Sequence, residues 1–258
     1  MSDHFSRLEE GVRSAAEIIR NSKQGAVLSG AGISTPSGIP DFRSQDTGLW
    51  SADDPMEVAS LLSFRYRPEA FFDWMRPLAA KIRSAKPNPA HYGLAQMQQA
   101  GFLQTIITQN IDGLHQRAGS TNVLEVHGSM NTLTCIGCFR QFSSEPYIDP
   151  YIDQRAVPYC PECGKILKPD LILFGEQMPA LTWLKAQEAS RKCDLMIVAG
   201  SSLEVLPAAG LPMRAIENGG HLIIINHSTT YLDMRADVVF HEDLAVVLPL
   251  ITERIFRE

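Results

Sequence analysis

Several short stretches of this chain are apolar at almost every position: AVLSG after Gly25, DLMIVAG at 194–200 and HLIIIN at 221–226. A strand with one wet face alternates apolar and polar residues, whereas a strand covered on both faces does not. Between these runs lie segments with apolar residues at helical spacing, such as Phe5, Leu8, Val12, Ala15, Ala16, Ile18 and Ile19. Buried strands alternating with amphipathic helices predict an α/β fold with a mostly parallel sheet covered on both sides. A chain of 258 residues is long enough to add a smaller inserted domain.

The expected order begins with a helix over 5–21, a strand at AVLSG and a long Gly/Pro/Ser/Asp-rich loop over 31–55. Short helices follow over 56–84, broken at Pro68 and Pro77. Asn88-Pro89 opens a helix that Gly101 stops. Strands are predicted at 103–110 and, with a turn, at 123–129. From Thr132 to about Lys168 the texture changes to cysteine pairs, aromatics and prolines without a long periodic segment, as in a small inserted module. Strand LILF (171–174), a helix around 180–191, strand 194–200, a helix near 207–218, strands 221–226 and 236–240, and a helix within 242–256 complete the chain.

A net charge of −6 argues against a general nucleic-acid binder, which carries a basic excess or stripe. The charged start MSDHFSRLEEGVRSAAEIIR lacks the apolar core of a secretory signal. No stretch approaches the roughly 18 uninterrupted apolar residues of a membrane span. A cytoplasmic protein without membrane or nucleic-acid partners is the expectation.

Cys135-x2-Cys138 and Cys160-x2-Cys163 carry four of the five cysteines. Two such pairs, each on a tight turn, converge on a tetrahedral Zn²⁺. With every position filled by thiolate no water site stays open, so the expected metal is one structural zinc. Two disulfides are the weaker reading in a cytosolic chain. Cys193, at the start of a buried strand, reads as a core thiol.

Gly30-Ala31-Gly32-Ile33-Ser34 follows the first strand, and closely spaced glycines let backbone N–H groups approach phosphates. The motif is neither a P-loop nor a complete dinucleotide fingerprint, because Thr35 stands where the third glycine belongs. Taken alone, it is as consistent with a tight structural turn as with a nucleotide cradle. Thr108-Gln109-Asn110-Ile111-Asp112 ends another strand, where α/β sheets place ligands. His127 at a strand edge and His115 beyond Asp112 both compete for the role of general base, and spacing does not choose between them. No Gly-x-Ser-x-Gly elbow is present.

The set GAGIS (30–34), GIPDFR (38–43), TQNIDGLH (108–115), EVHGS (125–129), the four cysteines, LILFGEQMP (171–179), GSSLEVLP (200–207) and IIN (224–226), in this order, resembles the sirtuin (Sir2-like) family of NAD-dependent protein-lysine deacylases. The resemblance implies a Rossmann-like large domain (about 1–42, 86–130 and 169–258) and a small domain from two insertions, a helical one (about 43–85) and a zinc module (131–168). It implies that NAD is consumed as acetyl or another uncharged acyl group leaves a protein lysine, releasing nicotinamide and O-acyl-ADP-ribose. Ala31, Gly32, Ser34 and Arg43 would lie along the cofactor phosphates, and Asp41 and Phe42 in the cofactor loop, with Phe42 shielding the nicotinamide site. Gln109 and Asn110 would contact the nicotinamide-side ribose, with Asn110 also ordering the local water. Asp112 would hold the carboxamide, and Gly200, Ser201, Ser202 and Asn226 would serve the adenosine side. His127 maps to the catalytic base and His115 to a structural position. Phe174, Gly175 and Glu176, with Leu203, Glu204 and Val205, would pinch an acylated-lysine peptide as an added strand. Pro77 and Ala80 replace the Tyr and Arg that some relatives use for acidic acyl chains, and Ser228 stands where an acidic residue is common. A protein mono-ADP-ribosyltransferase and a non-catalytic NAD-binding scaffold are the alternatives.

Overall fold

The structure, a computed structural model, describes residues 2–41 and 54–257. In chain order its elements are α1 (Ser2–Asn21), β1 (Gly25–Ser29), α2 (Pro55–Val58), α3 (Leu61–Tyr66), α4 (Pro68–Ser84), α5 (Pro89–Gln99), β2 (Leu103–Thr108), α6 (Leu114–Arg117) and β3 (Val123–Glu125). They continue with β4 (Gly128–Cys135), β5 (Gln141–Ser143), α7 (Glu145–Gln154), β6 (Leu167–Leu171), α8 (Ala180–Lys192), β7 (Leu195–Ala199), α9 (Leu211–Glu217), β8 (His221–Ile225), β9 (Val238–Phe240) and α10 (Leu244–Arg257).

The apolar runs form the centre of a sheet ordered β3-β2-β1-β7-β8-β9, parallel throughout. Every residue of β1 and β7 is buried, because alternate side chains enter different cores. Val27, Ile106, Ile197 and Ile223 join α1, α5 and α10 on one face. Ala26, Leu28, Met196, Val198 and Ile224 join α8 and α9 on the other. The order reverses between β1 and β7, and the crevice at such a switch point is where open α/β sheets bind ligands.

A second, antiparallel sheet is ordered β5-β4-β6, with Cys135 opposite Leu167. It spans Gly128 to Leu171, straddling the expected boundaries at 130/131 and 168/169. Strand β6 corrects the predicted strand at 171–174. The hairpin carrying Cys160 and Cys163 delivers the chain directly into Leu167–Leu171, whose alternate residues Leu167, Pro169 and Leu171 are buried. Residues 172–174 run on beyond this sheet and bridge to Ser60.

Two further corrections concern proline. Pro68 opens α4 at its first turn, but Pro77 lies inside that continuous 17-residue helix. A buried face of Phe71, Phe72, Met75, Leu78 and Ala79 holds the helix together across the lost hydrogen bond. Helix α7 was not expected; Pro146 and Pro150 interrupt the pattern, yet Tyr151 docks edge-on to Phe72, centroids 5.5 Å apart, and its hydroxyl donates to the Phe72 carbonyl. Phe64, Phe71, Phe72, Tyr151, Leu171 and Leu173 thus share one smaller core between the helical segment and the cysteine module. No described helix is long and apolar enough to cross a membrane.

Candidate active site

At the switch point the loops after β1 and β7 are stitched backbone to backbone. Gly30 N donates to Ala199 O, Gly32 N to Gly200 O at 2.9 Å, and Gly200 N to Ile225 O. A Cβ on Gly32 would lie 2.9 Å from Gly200 Cα; one on Gly200, whose φ is +66°, would lie 2.3 Å from Ile33 N. The close approach of two loops therefore requires these glycines before any ligand is considered. The short helical turn Ala31–Ile33 follows, and among the described residues the Ala31 amide has no hydrogen-bond partner, which leaves a donor suited to a phosphate oxygen.

Behind this loop Asn110, Ser34 and Asp112, polar residues at the strand ends, form one connected, buried cluster. Asn110 Nδ2 donates to Gly30 O and to Ser34 Oγ. Ser34 Oγ in turn donates to Asp112 Oδ2 at 2.7 Å, while Asp112 Oδ1 accepts the Leu114 amide at 2.8 Å. Burial pushes the Asp112 carboxyl above the usual carboxylate range; the Leu114 and Ser34 donors oppose that shift. Gln109 Nε2 reaches across to Ser201 Oγ at 2.9 Å. Asn226, at the end of β8, donates to the carbonyl and hydroxyl of Ser228. Ser202 is half-buried beside Ser201. Neutral amides and hydroxyls, one buried carboxylate and a free backbone amide along four adjacent strand ends fit a dinucleotide: donors for ribose and phosphate, an acceptor for a carboxamide N–H. Asp41 ends the first described segment and is half-buried; Phe42 and Arg43 lie outside the described residues.

The two histidines separate by their partners. His127 is half-buried, and its Nδ1 lies 3.1 Å from the Gln109 carbonyl. A carbonyl only accepts, so Nδ1 carries the hydrogen and Nε2 keeps its lone pair. Burial lowers the His127 pKa, which favours that neutral form, although the Gln109 bond pulls the other way. His115 is only 1% exposed and its Nε2 donates to Ser29 Oγ, which donates to Thr108 Oγ1; that oxygen also accepts the Asn110 amide. His91 packs 5.0 Å from His115 between ring centroids, its Nδ1 accepting the Asn88 amide at the α5 cap. In the sequence Asn88 marks only a helix entrance; the Asn88/His91 reciprocal cap and the Ser29–Thr108 bridge emerge in the folded chain. An Asn-x-x-His spacing at a helix start is the signal that could have found the first of these.

Residues 172–176 approach the site from the other sheet. Ile172 N donates to the His127 carbonyl. Phe174 N donates to Ala59 O and Phe174 O accepts Leu61 N, both at 2.9 Å, so one edge of this segment is already paired. Glu176 N closes a turn on Leu173 O, with Gly175 at φ +87°, a conformation that suits glycine. Among the described residues Gly175 makes no hydrogen bond, leaving its backbone open to an added chain. The Glu176 carboxylate is turned inward, accepting Leu173 N and pairing with Lys168. On the second segment Leu203 is buried at φ +57° with its amide on Ser201 Oγ; Glu204 is exposed and Val205 half-buried.

The four cysteines converge. Their sulfurs all lie within 4.8 Å of one another, with Cys135 and Cys163 3.3 Å apart and Cys138 and Cys160 3.7 Å apart. Sulfur atoms around tetrahedral zinc stand about 3.8 Å apart, so the set fits a zinc ion, and none of the cysteines is in a disulfide. The Gly137 and Cys138 amides both donate to Cys135 Sγ, as they would to a thiolate. Cys193 is a core thiol whose pKa burial pushes up to about 12.

The family model described as Sir2 family matches residues 30–207. The chain is 43% identical over 251 residues to NAD-dependent protein deacylase 2 of Archaeoglobus fulgidus, covering 97% of this chain and 98% of that protein. It is 44% identical over 236 residues to NAD-dependent protein deacetylase 2 of Caldanaerobacter subterraneus, covering 92% of each. A structure solved in work on the mechanism and regulation of Sir2 enzymes matches with a TM-score of 0.90 at 43% identity, covering 96% of this chain and 99% of that one. The structure of Sir2Af2 bound to a myristoylated histone peptide matches with a TM-score of 0.83 at 38% identity over 96% and 98%. With its switch-point cluster, its four-cysteine module and these relatives along nearly its whole length, the chain belongs to the Sir2 family.

Proposed function

We propose that this protein is an NAD-dependent protein-lysine deacylase that acts on acetyl and other uncharged acyl groups. The observation that carries the reading is a neutral imidazole, its Nε2 lone pair unspent, held on the Gln109 carbonyl next along the chain to the connected Asn110–Ser34–Asp112 cluster. Bound NAD supplies a ribose carbon that loses nicotinamide and a ribose hydroxyl that ends as the acyl acceptor.

The chain's own residues divide the remaining work. Ala31, with Gly32 and Gly200 permitting the loop contact, holds the phosphate side, where Ser34 fixes the loop through its bond to Asp112; Ser201, Ser202 and Asn226 serve the adenosine end. Asp112, kept rigid by Ser34 and Leu114, accepts from the carboxamide and so orients the departing ring. Asn110, locked by Gly30 and Ser34, orders the sugar. His127 takes a proton from the sugar at Nε2, and the Gln109 carbonyl stabilises the imidazolium by holding Nδ1–H. Phe174–Glu176 and Leu203–Val205 accept the peptide backbone, which gives affinity without a demand for a particular sequence. The breadth toward uncharged acyl chains follows the myristoylated peptide of the 38% identical relative and a propionylated peptide held by another at 36%.

An acetyl-lysine peptide incubated with the protein, with and without NAD, tests the reading by mass spectrometry. Loss of the acetyl mass only when NAD is present supports it. A peptide that gains ADP-ribose instead points to a transferase, and an unchanged peptide to an NAD-binding scaffold.

A further inference from the structure

Lys168 sits in β6, opposite Thr134 and far along the chain from the strand ends that hold the proposed cofactor, yet its side chain is only 16% exposed. Its ammonium has three N–H groups and three partners: Glu176 Oε2 at 2.9 Å, Leu171 O at 2.9 Å and Pro169 O at 3.1 Å. Glu176, itself 19% exposed, uses the same Oε2 to accept Leu173 N at 2.8 Å. The turn Leu173–Glu176 is therefore closed twice, once by its own backbone and once by a carboxylate that Lys168 holds from behind. That turn carries Gly175, whose backbone groups are unpaired among the described residues, while the Phe174 edge is already occupied by residues 59–61.

An apolar pair of similar size would hold this corner together at least as well, because two charges lose much of their hydration on burial. What the ion pair adds is direction: a carboxylate fixed at one orientation, so that the Leu173 amide is spent and the next open backbone position is Gly175. We propose that Lys168 is a positioning residue for the substrate peptide, setting through Glu176 the turn that presents Gly175 to the incoming main chain. The inference rests on the deacylase reading. Ile172 N donates to the His127 carbonyl from the same peptide unit whose oxygen, Leu171 O, accepts Lys168, so kcat is the readout that shows whether the proposed base stays in place when the pair is removed.

Steady-state kinetics of Lys168→Met, Lys168→Arg and Glu176→Gln with an acetyl-lysine peptide and NAD test the proposal. Lys168→Met is expected to raise the peptide KM about tenfold or more, the scale of a lost charged hydrogen bond. Its kcat, its KM for NAD and its zinc content should remain within about threefold of wild type, since neither side chain of the pair bonds a cysteine or a residue of the cofactor cluster. Lys168→Arg should recover most of the peptide KM, and Lys168→Met combined with Glu176→Gln should be no worse than the worse single change. An active wild type whose Lys168→Met variant keeps its peptide KM overturns the inference. So does a variant in which kcat and melting temperature fall while both KM values rise together, without rescue by arginine. Should Lys168→Met not fold, Glu176→Gln alone must raise the peptide KM selectively, and an unchanged value overturns the inference. Wild-type protein that leaves the peptide acylated overturns the deacylase reading and takes this inference with it.

Discussion

His127 is subject to two opposed effects. Burial disfavours the imidazolium, the Gln109 carbonyl favours it, and burial prevails, so the pKa falls below the ordinary histidine value of about 6.5. A base works in its deprotonated form, and a lowered pKa therefore extends activity toward acid. We expect kcat/KM for the acyl peptide to hold level from neutral pH down to about 6.5 and to drop only below it. A midpoint above 7 in that pH–rate profile contradicts the assignment. The residue types at this site were legible in the sequence because each of GAGIS, TQNID and EVHG stands at the end of an apolar strand. What was not legible is the reason for the glycines. Gly32 and Gly200 are 168 positions apart, and only the folded chain shows each occupying the space the other's side chain would need. The inward turn of Glu176 was hidden for the same reason, since Lys168 meets it across a bend in the chain.

At the level of elements, the short apolar strands and their covering helices could be read from their apolar pattern alone, whereas elements made by distant partners could not. Helix α4 continues through Pro77 because a five-residue apolar face is buried against another segment. Helix α7 forms around two prolines because Tyr151 docks on Phe72. Strand β6 is placed by the cysteine hairpin that precedes it, with Leu167 opposite Cys135 and the Cys160 amide on Lys165 O. This module's own core comprises little more than Leu133, Leu167 and the buried cysteines, too small to stand without a metal staple. Cys160→Ser is accordingly expected to abolish the roughly one zinc per chain that the spacing predicts, and to lower the melting temperature. Metal analysis of the purified variant checks this; full zinc retention would show that the four thiolates do not act as one site.

For the whole molecule, the two buried histidines behind the cofactor cluster make stability depend on pH. Burial pushes the pKa of His91 down to about 4 and that of His115 down to about 3, with His91 adding to the second shift. Both therefore stay neutral in the folded chain at pH values where an unfolded chain, titrating near 6.5, takes up protons. The unfolded state then binds more protons, so stability is complete above about 6.5 and declines as pH falls toward 4, by about 1.4 kcal/mol per pH unit for each histidine. Denaturant titrations at pH 7, 6 and 5 should show this slope, and His115→Asn should flatten it. A slope unchanged by that substitution assigns the acid sensitivity elsewhere. Architecture at this scale was the most legible level of all, because buried strands alternating with amphipathic helices predict a parallel sheet covered on both faces, whereas the strand order and its switch point show only in the folded chain. The joint between the two sheets was the least legible, since it rests on single backbone bonds such as Ile172 N to His127 O. The central claim, that acyl removal and cofactor cleavage are one reaction directed by His127, is tested most directly by counting products. Wild-type protein with an acetyl-lysine peptide and NAD should yield one nicotinamide for each lysine freed, and His127→Ala should free lysine about 10²–10⁴ times more slowly. Lysine freed without NAD, or at an unchanged rate by the variant, would contradict it.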